Sequence, residues 1–417
     1  MEKKDNRGRK LYDNEDQLKD GRYRFRYTDK YGKRTPVYSW KLVPTDKIPK
    51  GKRDDISLRE KEKKILRDLD DNIDTYSGNS TVDSLIQQYF STKSMLAPAT
   101  KNNYTSMWRR IHEFSSLPKL KISNVKKSDI LKLYAYFYEE RKYAVGTIQL
   151  YQNMLYPAFQ MAVDDNIIRQ NPCKGCMKGY LSNVTTSRFA LTADQQDKLL
   201  EFLLYDSRKY SRYYEMFELL LKTGMRISET LGLTWDNIDF DNKIIIVDHQ
   251  IIYGKKNGKY IFYDAPPKNR MNRIIPMQSS LVKVMKKYKE MTYFFSVSSG
   301  LKIGNYTNFV FLNKNGNVHK SQVIVRACHG ICNEYNKFEE ETAYYEGRDP
   351  VMMPDFTPHI LRHSFCTRMG ENGMDAKVLQ SIMGHKNIAI TMDVYNHVND
   401  YERLAKEVDR VSKVMAI

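Results

Sequence analysis

Apolar and polar positions follow a helical period over most of the chain and alternate with a period of two in only a few places. The clearest alternation sets Arg22, Arg24 and Arg26 against Tyr23, Phe25 and Tyr27. It predicts a strand with arginines on one face and aromatics on the other. Residues 29–33 then read as a turn and residues 36–42 as the returning strand. A helix follows, with Ser57 and Glu60 as a capping box and Leu58, Ile65, Leu66 and Leu69 as its apolar stripe.

After a linker at residues 77–80 the period is helical as far as about Gly175. Thr81, Val82, Leu85, Ile86, Tyr89 and Phe90 form one apolar face. Pro98 opens a second helix with Tyr104, Trp108 and Ile111 inward, and Thr147, Leu150, Tyr151, Leu155 and Phe159 mark a later one. Asn171-Pro172 breaks the run, and residues 173–188 read as a second linker. Beyond it, Thr192 and Gln195 cap another helix, residues 243–247 and 273–277 form short strands, and a hairpin lies between them with Gly254 and Gly258 at its first turn. The pattern predicts a multidomain, mainly α protein with small β elements, divided at 1–75, 80–175 and 188–417. Leu404, Val408, Val411 and Met415 give the C-terminus one apolar stripe on a helix.

The charge distribution adds a partner to this outline. Residues 1–53 hold 17 Lys and Arg against 8 Asp and Glu, half of the formal net charge of +18. Such concentration points to an anionic polymer, and a small sheet with an arginine face fits a DNA major groove; the plainer alternative is a solvated basic face. Lys101, Arg109, Arg110, Lys126 and Lys127 in the helical segment are further phosphate-contact candidates. There is no apolar run of membrane-spanning length and no signal-peptide core, and five cysteines fit a reduced cytoplasmic protein. Cys173, Cys176, Cys328 and Cys332 are too far apart and too unequally spaced for a zinc ribbon, so no metal is expected.

The chemistry-bearing residues lie in the last segment. Arg226 sits in Thr-Gly-Met-Arg-Ile-Ser-Glu, after Gly224 at the end of one helix, with Glu229 placed to brace it. Thr357 and Pro358 begin a helix on which His359 and Arg362 share a face. Gly384 closes the helix over residues 376–383 and sets His385 at a turn, and Tyr395 follows in a Thr-x-x-x-Tyr context with Ile388, Thr391 and Val394 inward. Arginine holds phosphate through two forked N–H groups, and tyrosine can attack phosphorus to form a covalent intermediate.

This ordered set resembles the catalytic signature of the tyrosine recombinases, the phage-type integrases, and the basic N-terminal sheet looks like the arm-binding domain of conjugative-transposon integrases. The resemblance implies an N-terminal β-sheet/helix arm-binding domain, a helical core-binding domain and a mixed α/β catalytic domain. It implies site-specific integration and excision of a mobile element through a 3′-phosphotyrosine. In this mechanism Arg226, Arg362, His359 and His385 grip the phosphate, Tyr395 attacks, and a hairpin lysine protonates the leaving 5′ oxygen. Lys268, in Pro267-Lys268-Asn269 before Arg273-Ile274-Ile275-Pro276, is the lysine assigned, with Lys255, Lys256 and Lys259 as competitors. No cofactor, metal or ATP is implied. The implied partners are double-stranded DNA at core-type and arm-type sites, a homotetramer in the synapse, and an excisionase-type directionality factor, in a cytoplasmic, nucleoid-associated setting. The C-terminal stripe would pack on its own domain or on a neighbouring protomer. A type IB topoisomerase-like enzyme, a decayed DNA-binding protein and a metal-dependent transposase are the rival readings.

Overall fold

The computed structural model describes residues 3–395 apart from 30, 31, 72, 74–78, 97, 182–188 and 257, with side chains as far as Met392 except that of Leu181. Two compact units divide at Thr185 and Thr186. No helix among the described residues is long and apolar enough to cross a membrane.

The first unit contains two hydrophobic cores. Strands β1 (Glu15–Gln17), β2 (Tyr23–Thr28) and β3 (Arg34–Ser39) form an antiparallel sheet in that order. Alternation along β2 turns Tyr23 and Phe25 onto Leu11, Leu42 and Leu58, the last on helix α1 (Leu58–Asp70). β3 starts two residues earlier than expected and includes Pro36 opposite Arg26; as an edge strand it tolerates a residue without an N–H. The Glu60 carboxylate accepts from the Ser57 N–H at 3.1 Å, as the capping box requires. Leu66, expected inward, is exposed, because Leu58 and Ile65 already cover the small sheet.

The second core is a helical bundle. It comprises α2 (Val82–Thr92), α3 (Pro98–Phe114), α4 (Lys127–Glu139) and α5 (Val145–Asp164). Tyr134, Phe137, Tyr151 and Phe159 are fully buried in it, each removal from water being worth about 1.5–3 kcal/mol. Gln152 joins two of its layers by accepting from the Tyr134 hydroxyl at 2.7 Å and donating to the Cys173 carbonyl at 3.0 Å. Leu150, expected inward, faces out while Ile148, Tyr151 and Leu155 take the inner side. The second linker begins later than the sequence suggests. Asn171 accepts from the Cys173 N–H and turns the chain back, so Cys173, Cys176 and Met177 join the core before a short helix, α6 (Lys178–Leu181).

In the second unit α7 (Ala193–Glu201) ends in a π-helical turn over Phe202–Asp206. Helices α8 (Tyr214–Thr223) and α9 (Ile227–Gly232) lead into β4 (Ile238–Asp239) and β5 (Ile244–Val247). The hairpin β6 (Gln250–Lys256) and β7 (Lys259–Ala265) follows, and then β8 (Arg273–Pro276) pairs antiparallel with β5. Helices α10 (Ser279–Ser298), α11 (Ser321–Glu346), α12 (Pro358–Glu371), α13 (Ala376–Met383) and α14 (Ala389–Tyr395) complete the described chain. The core centres on α8, whose Phe217, Leu219 and Leu220 are fully buried. Leu404, Val408, Val411 and Met415 lie outside the described residues.

Candidate active site

Arg226 is placed by the turn between α8 and α9. Gly224 there has φ 61°, and a Cβ on it would stand 2.4 Å from Phe365 Cδ1 and 2.8 Å from Met383 Sδ, so only glycine closes the turn. Glu229 accepts from the Arg226 N–H and, at 2.9 Å, from its Nη1, the brace expected from sequence. Arg273, to which the sequence alone assigns no role, approaches Glu229 from the other side. It begins β8 on the same inward face as Ile275 and donates to both Glu229 oxygens. Burial alone would raise the Glu229 carboxyl; Arg273, with Arg226, holds it down at about 2.

The C-terminal end of α13 gathers the arginines. Arg273 Nε donates to the Ile382 carbonyl, Arg362 Nη2 to the Met383 carbonyl, and Arg226 Nη2 to the Gly384 carbonyl. These are carbonyls that a helix end leaves without intrahelical partners, and its dipole favours cations there. Gly384 has φ 61°, and a Cβ on it would press on Arg273 Cδ at 3.2 Å. Arg362 is 3% exposed and also donates from Nη1 to the Gly224 carbonyl, so it spans the two glycine turns. Burial, with Arg226 alongside, lowers it to about 9, where it is still charged at neutral pH.

His385 follows this hub directly. Its Nδ1 lies 3.0 Å from Thr391 Oγ1 on α14, which leaves Nε2 as the other hydrogen-bonding edge. Burial and then the positive charge of Arg362, Arg226 and Arg273 lower it to about 4, so it is neutral at pH 7. His359 is exposed in the first turn of α12, close enough for its charge to bear on His385. Thr357 holds the N-cap position of that helix, but its side chain makes no capping bond. Lys268 is exposed in the tight turn between β7 and β8, where the Arg270 N–H donates to the Pro267 carbonyl at 2.7 Å. The neighbouring Asn269 donates to the Gly384 carbonyl, the atom that also receives Arg226. Lys255, Lys256 and Lys259 lie instead at the far end of the β6–β7 hairpin. Tyr395 ends α14, and its side chain lies outside those described; Tyr401 lies outside the described residues altogether.

Arg226, Arg362 and His385 are thus brought together with Lys268 one residue from the hub. A phosphodiester held there would meet two guanidinium forks and a neutral imidazole. Asn269 and Arg273 were missed by sequence reasoning. For Arg273 a signal existed, since period-two alternation puts it on the buried face with Ile275; for Asn269 there was none.

In the first unit, Arg24 and Arg26 both reach Asp16 on β1, and Arg22 pairs with Asp20 while leaning on the rings of Tyr38 and Trp40. β1 is a polar strand too short to read from sequence. Lys101, Arg109 and Arg110 are exposed on α3, with Lys101 donating to the Ser94 carbonyl. Cys173 and Cys176 are buried in one hydrophobic core and Cys328 and Cys332 in another, and no group of metal-ligating side chains occurs among the described residues.

Residues 190–402 match the phage integrase family, residues 1–69 the DNA-binding domain of Tn916 integrase, and residues 81–179 the phage integrase SAM-like domain. The chain therefore belongs to the phage integrase family, the tyrosine recombinases, which cut and rejoin DNA strands. Within that family it is similar to transposon proteins over almost its full length. It is 35% identical to the transposase from transposon Tn916 of Enterococcus faecalis and 34% identical to that from Tn1545 of Streptococcus pneumoniae, each alignment covering 99% of this chain and 97% of the relative. Among solved structures, the Tn1549 transposon integrase in complex with a circular intermediate DNA superposes with a TM-score of 0.68 at 30% identity, covering 79% of this chain and 99% of that one.

Proposed function

We propose that this recombinase integrates and excises a mobile element, with Arg226, Arg362, His359 and His385 as the phosphate grip, Lys268 as general acid and Tyr395 as nucleophile. The observation that carries the assignment is the α13 hub, where Arg226, Arg362 and His385 meet beside the Lys268 turn. The Tyr395 oxygen attacks phosphorus as its proton passes to His359, and the bond from phosphorus to the 5′ oxygen breaks. That oxygen takes a proton from Lys268, leaving a 3′-phosphotyrosine and a 5′-hydroxyl. A 5′-hydroxyl from another duplex reverses the step, because the covalent link retains the energy of the broken bond. The two guanidinium groups supply the positive charge that the transition state requires. The reaction proceeds in a homotetrameric synapse in the cytoplasm, beside the nucleoid. Core-type DNA is held by the bundle and catalytic domain, arm-type DNA by the N-terminal sheet, and an excisionase-type factor sets direction.

Tyr395→Phe tests the nucleophile. On a nicked core-site duplex the variant should bind with near wild-type affinity and give no SDS-resistant protein–DNA adduct. A persisting adduct would move the assignment to Tyr401.

A further inference from the structure

The Lys268 turn has a side-chain anchor whose position bears on proton transfer. The turn runs from Pro267, which is buried, to Arg270, whose φ is 56°. Lys268 and Asn269 are its two central residues, so fixing one fixes the backbone of the other. The Asn269 amide is half-buried and donates to the Gly384 carbonyl, 115 residues away in sequence. That oxygen also accepts from Arg226 Nη2 at 3.1 Å. The helix end supplying it is held further by Arg362 on the Met383 carbonyl and Arg273 on the Ile382 carbonyl. One carbonyl oxygen therefore sets the spacing between the lysine turn and the arginine that grips phosphate.

A lysine needs this more than an arginine does. Its ammonium is a point charge on a flexible four-carbon stem with no fork to orient it, so the placement of its Cα limits where the proton can be delivered. Misplacement by about 1 Å can cost on the order of 100-fold in rate.

We infer that Asn269 is a positioning residue for strand cleavage, pinning the Lys268 turn to the Gly384 carbonyl so that the ammonium is aimed at the leaving 5′ oxygen. The inference rests on the reading of Lys268 as general acid. Asn269 itself touches neither DNA nor the reacting atoms in this role.

The test uses two full-length variants, Asn269→Ala and Asn269→Asp. Aspartate keeps the size of the side chain but turns the donor into an acceptor facing another acceptor. Each is assayed for single-turnover cleavage of a nicked core-site duplex, and of the same duplex with sulfur in place of the leaving 5′ oxygen. A thiolate departs without a proton, so the sulfur substrate bypasses general acid catalysis alone. Since a general acid is worth roughly 100- to 10,000-fold, cleavage of ordinary DNA should fall by about 10- to 100-fold in both variants. Cleavage of the sulfur substrate should return to within about 3-fold of wild type, as expected for loss of proton transfer alone. A folding defect or a loosened arginine grip would slow both substrates equally, and that result would overturn the inference. So would unchanged cleavage of ordinary DNA. Lys268→Ala runs in parallel. If sulfur rescues Lys268→Ala but neither Asn269 variant, only the role of Asn269 falls. If sulfur fails to rescue Lys268→Ala, the general-acid reading falls first and takes this inference with it.

Discussion

In the proposed grip, Arg226 and Arg362 would use guanidinium geometry in two ways at once. Arg362 reaches the Gly224 and Met383 carbonyls with two separate nitrogens, and Arg226 reaches Glu229 and the Gly384 carbonyl. Each has N–H groups beyond these, because a guanidinium carries five, and the proposed phosphate contact would use them. Lysine at either position would keep the charge but could not hold the protein and the phosphate together in a fixed plane. Arg226→Lys and Arg362→Lys should therefore lower single-turnover cleavage by about 100- to 1,000-fold, the usual cost of removing one preorganised transition-state donor. Binding of core-site DNA, measured by fluorescence anisotropy, should weaken only a few-fold, since one phosphate contact among many is altered. Equal few-fold losses in both measurements would count against the assigned role. These two arginines were legible in the sequence because their local motifs name them. Asn269 was not, and for Arg273 the alternation shows a buried face but no role, because their partners Gly384 and Glu229 lie 115 and 44 residues away and only folding joins them.

At the scale of elements, Glu229 is the joint between α9 and β8. Its side chain is fully buried between Arg226 and Arg273. Its carboxyl is depressed from 4.5 to about 2, so the stabilisation it gives is complete above about 4.5 and is lost as pH falls toward about 2. Glu229→Gln removes that charge and leaves the buried Arg273 with the Ile382 carbonyl but no carboxylate, costing about 3–5 kcal/mol at neutral pH. In denaturant melts the gap between wild type and variant should be widest at pH 7 and should narrow as the pH drops from 4.5 to 2. A gap independent of pH would show that the joint works by packing instead of charge. Element boundaries were readable where a local rule decides them, as at the starts at Ser57 and Thr192 and the helix end at Gly224. Reading failed where tertiary contact decides. Cys173 and Cys176 resemble linker after Asn171-Pro172 yet pack into the bundle, and Leu66 and Leu150 fit apolar stripes yet face outward because neighbouring side chains already fill those cores.

Over the whole molecule, the basic sheet has a hydrophobic core separate from that of the bundle. One guanidinium, that of Arg169, ties α1 to the bundle by pairing with Asp68 and Asp71 and donating to the Arg67 carbonyl. The exposed Arg169–Asp71 contact is the kind of pair worth about 0–1 kcal/mol, and removing the sheet and α1 takes the buried Asp68 away with them, so no carboxylate of this joint is left buried without its partner. The arginines of the sheet face are engaged in the same exchangeable way, Arg22 with Asp20 and both Arg24 and Arg26 with Asp16. Because exchanging such a partner for a DNA phosphate would cost little, those acidic neighbours are compatible with the proposed binding of arm-type DNA by this face. A chain beginning at Ser80 should therefore still cleave core-site DNA at close to the wild-type rate but lose protection of a second, arm-type site in footprints. It should also lose the corresponding part of the salt dependence of binding to DNA carrying both sites, since affinity falls by roughly 0.9 log units per log unit of salt for each phosphate neutralised. Identical footprints and identical salt slopes for the two chains would assign the basic segment to solvation and place all DNA recognition in the bundle and catalytic domain. A footprint lost together with core-site cleavage would mean instead that arm-site binding and the chemistry are mechanically joined, with Arg169 the first residue to test.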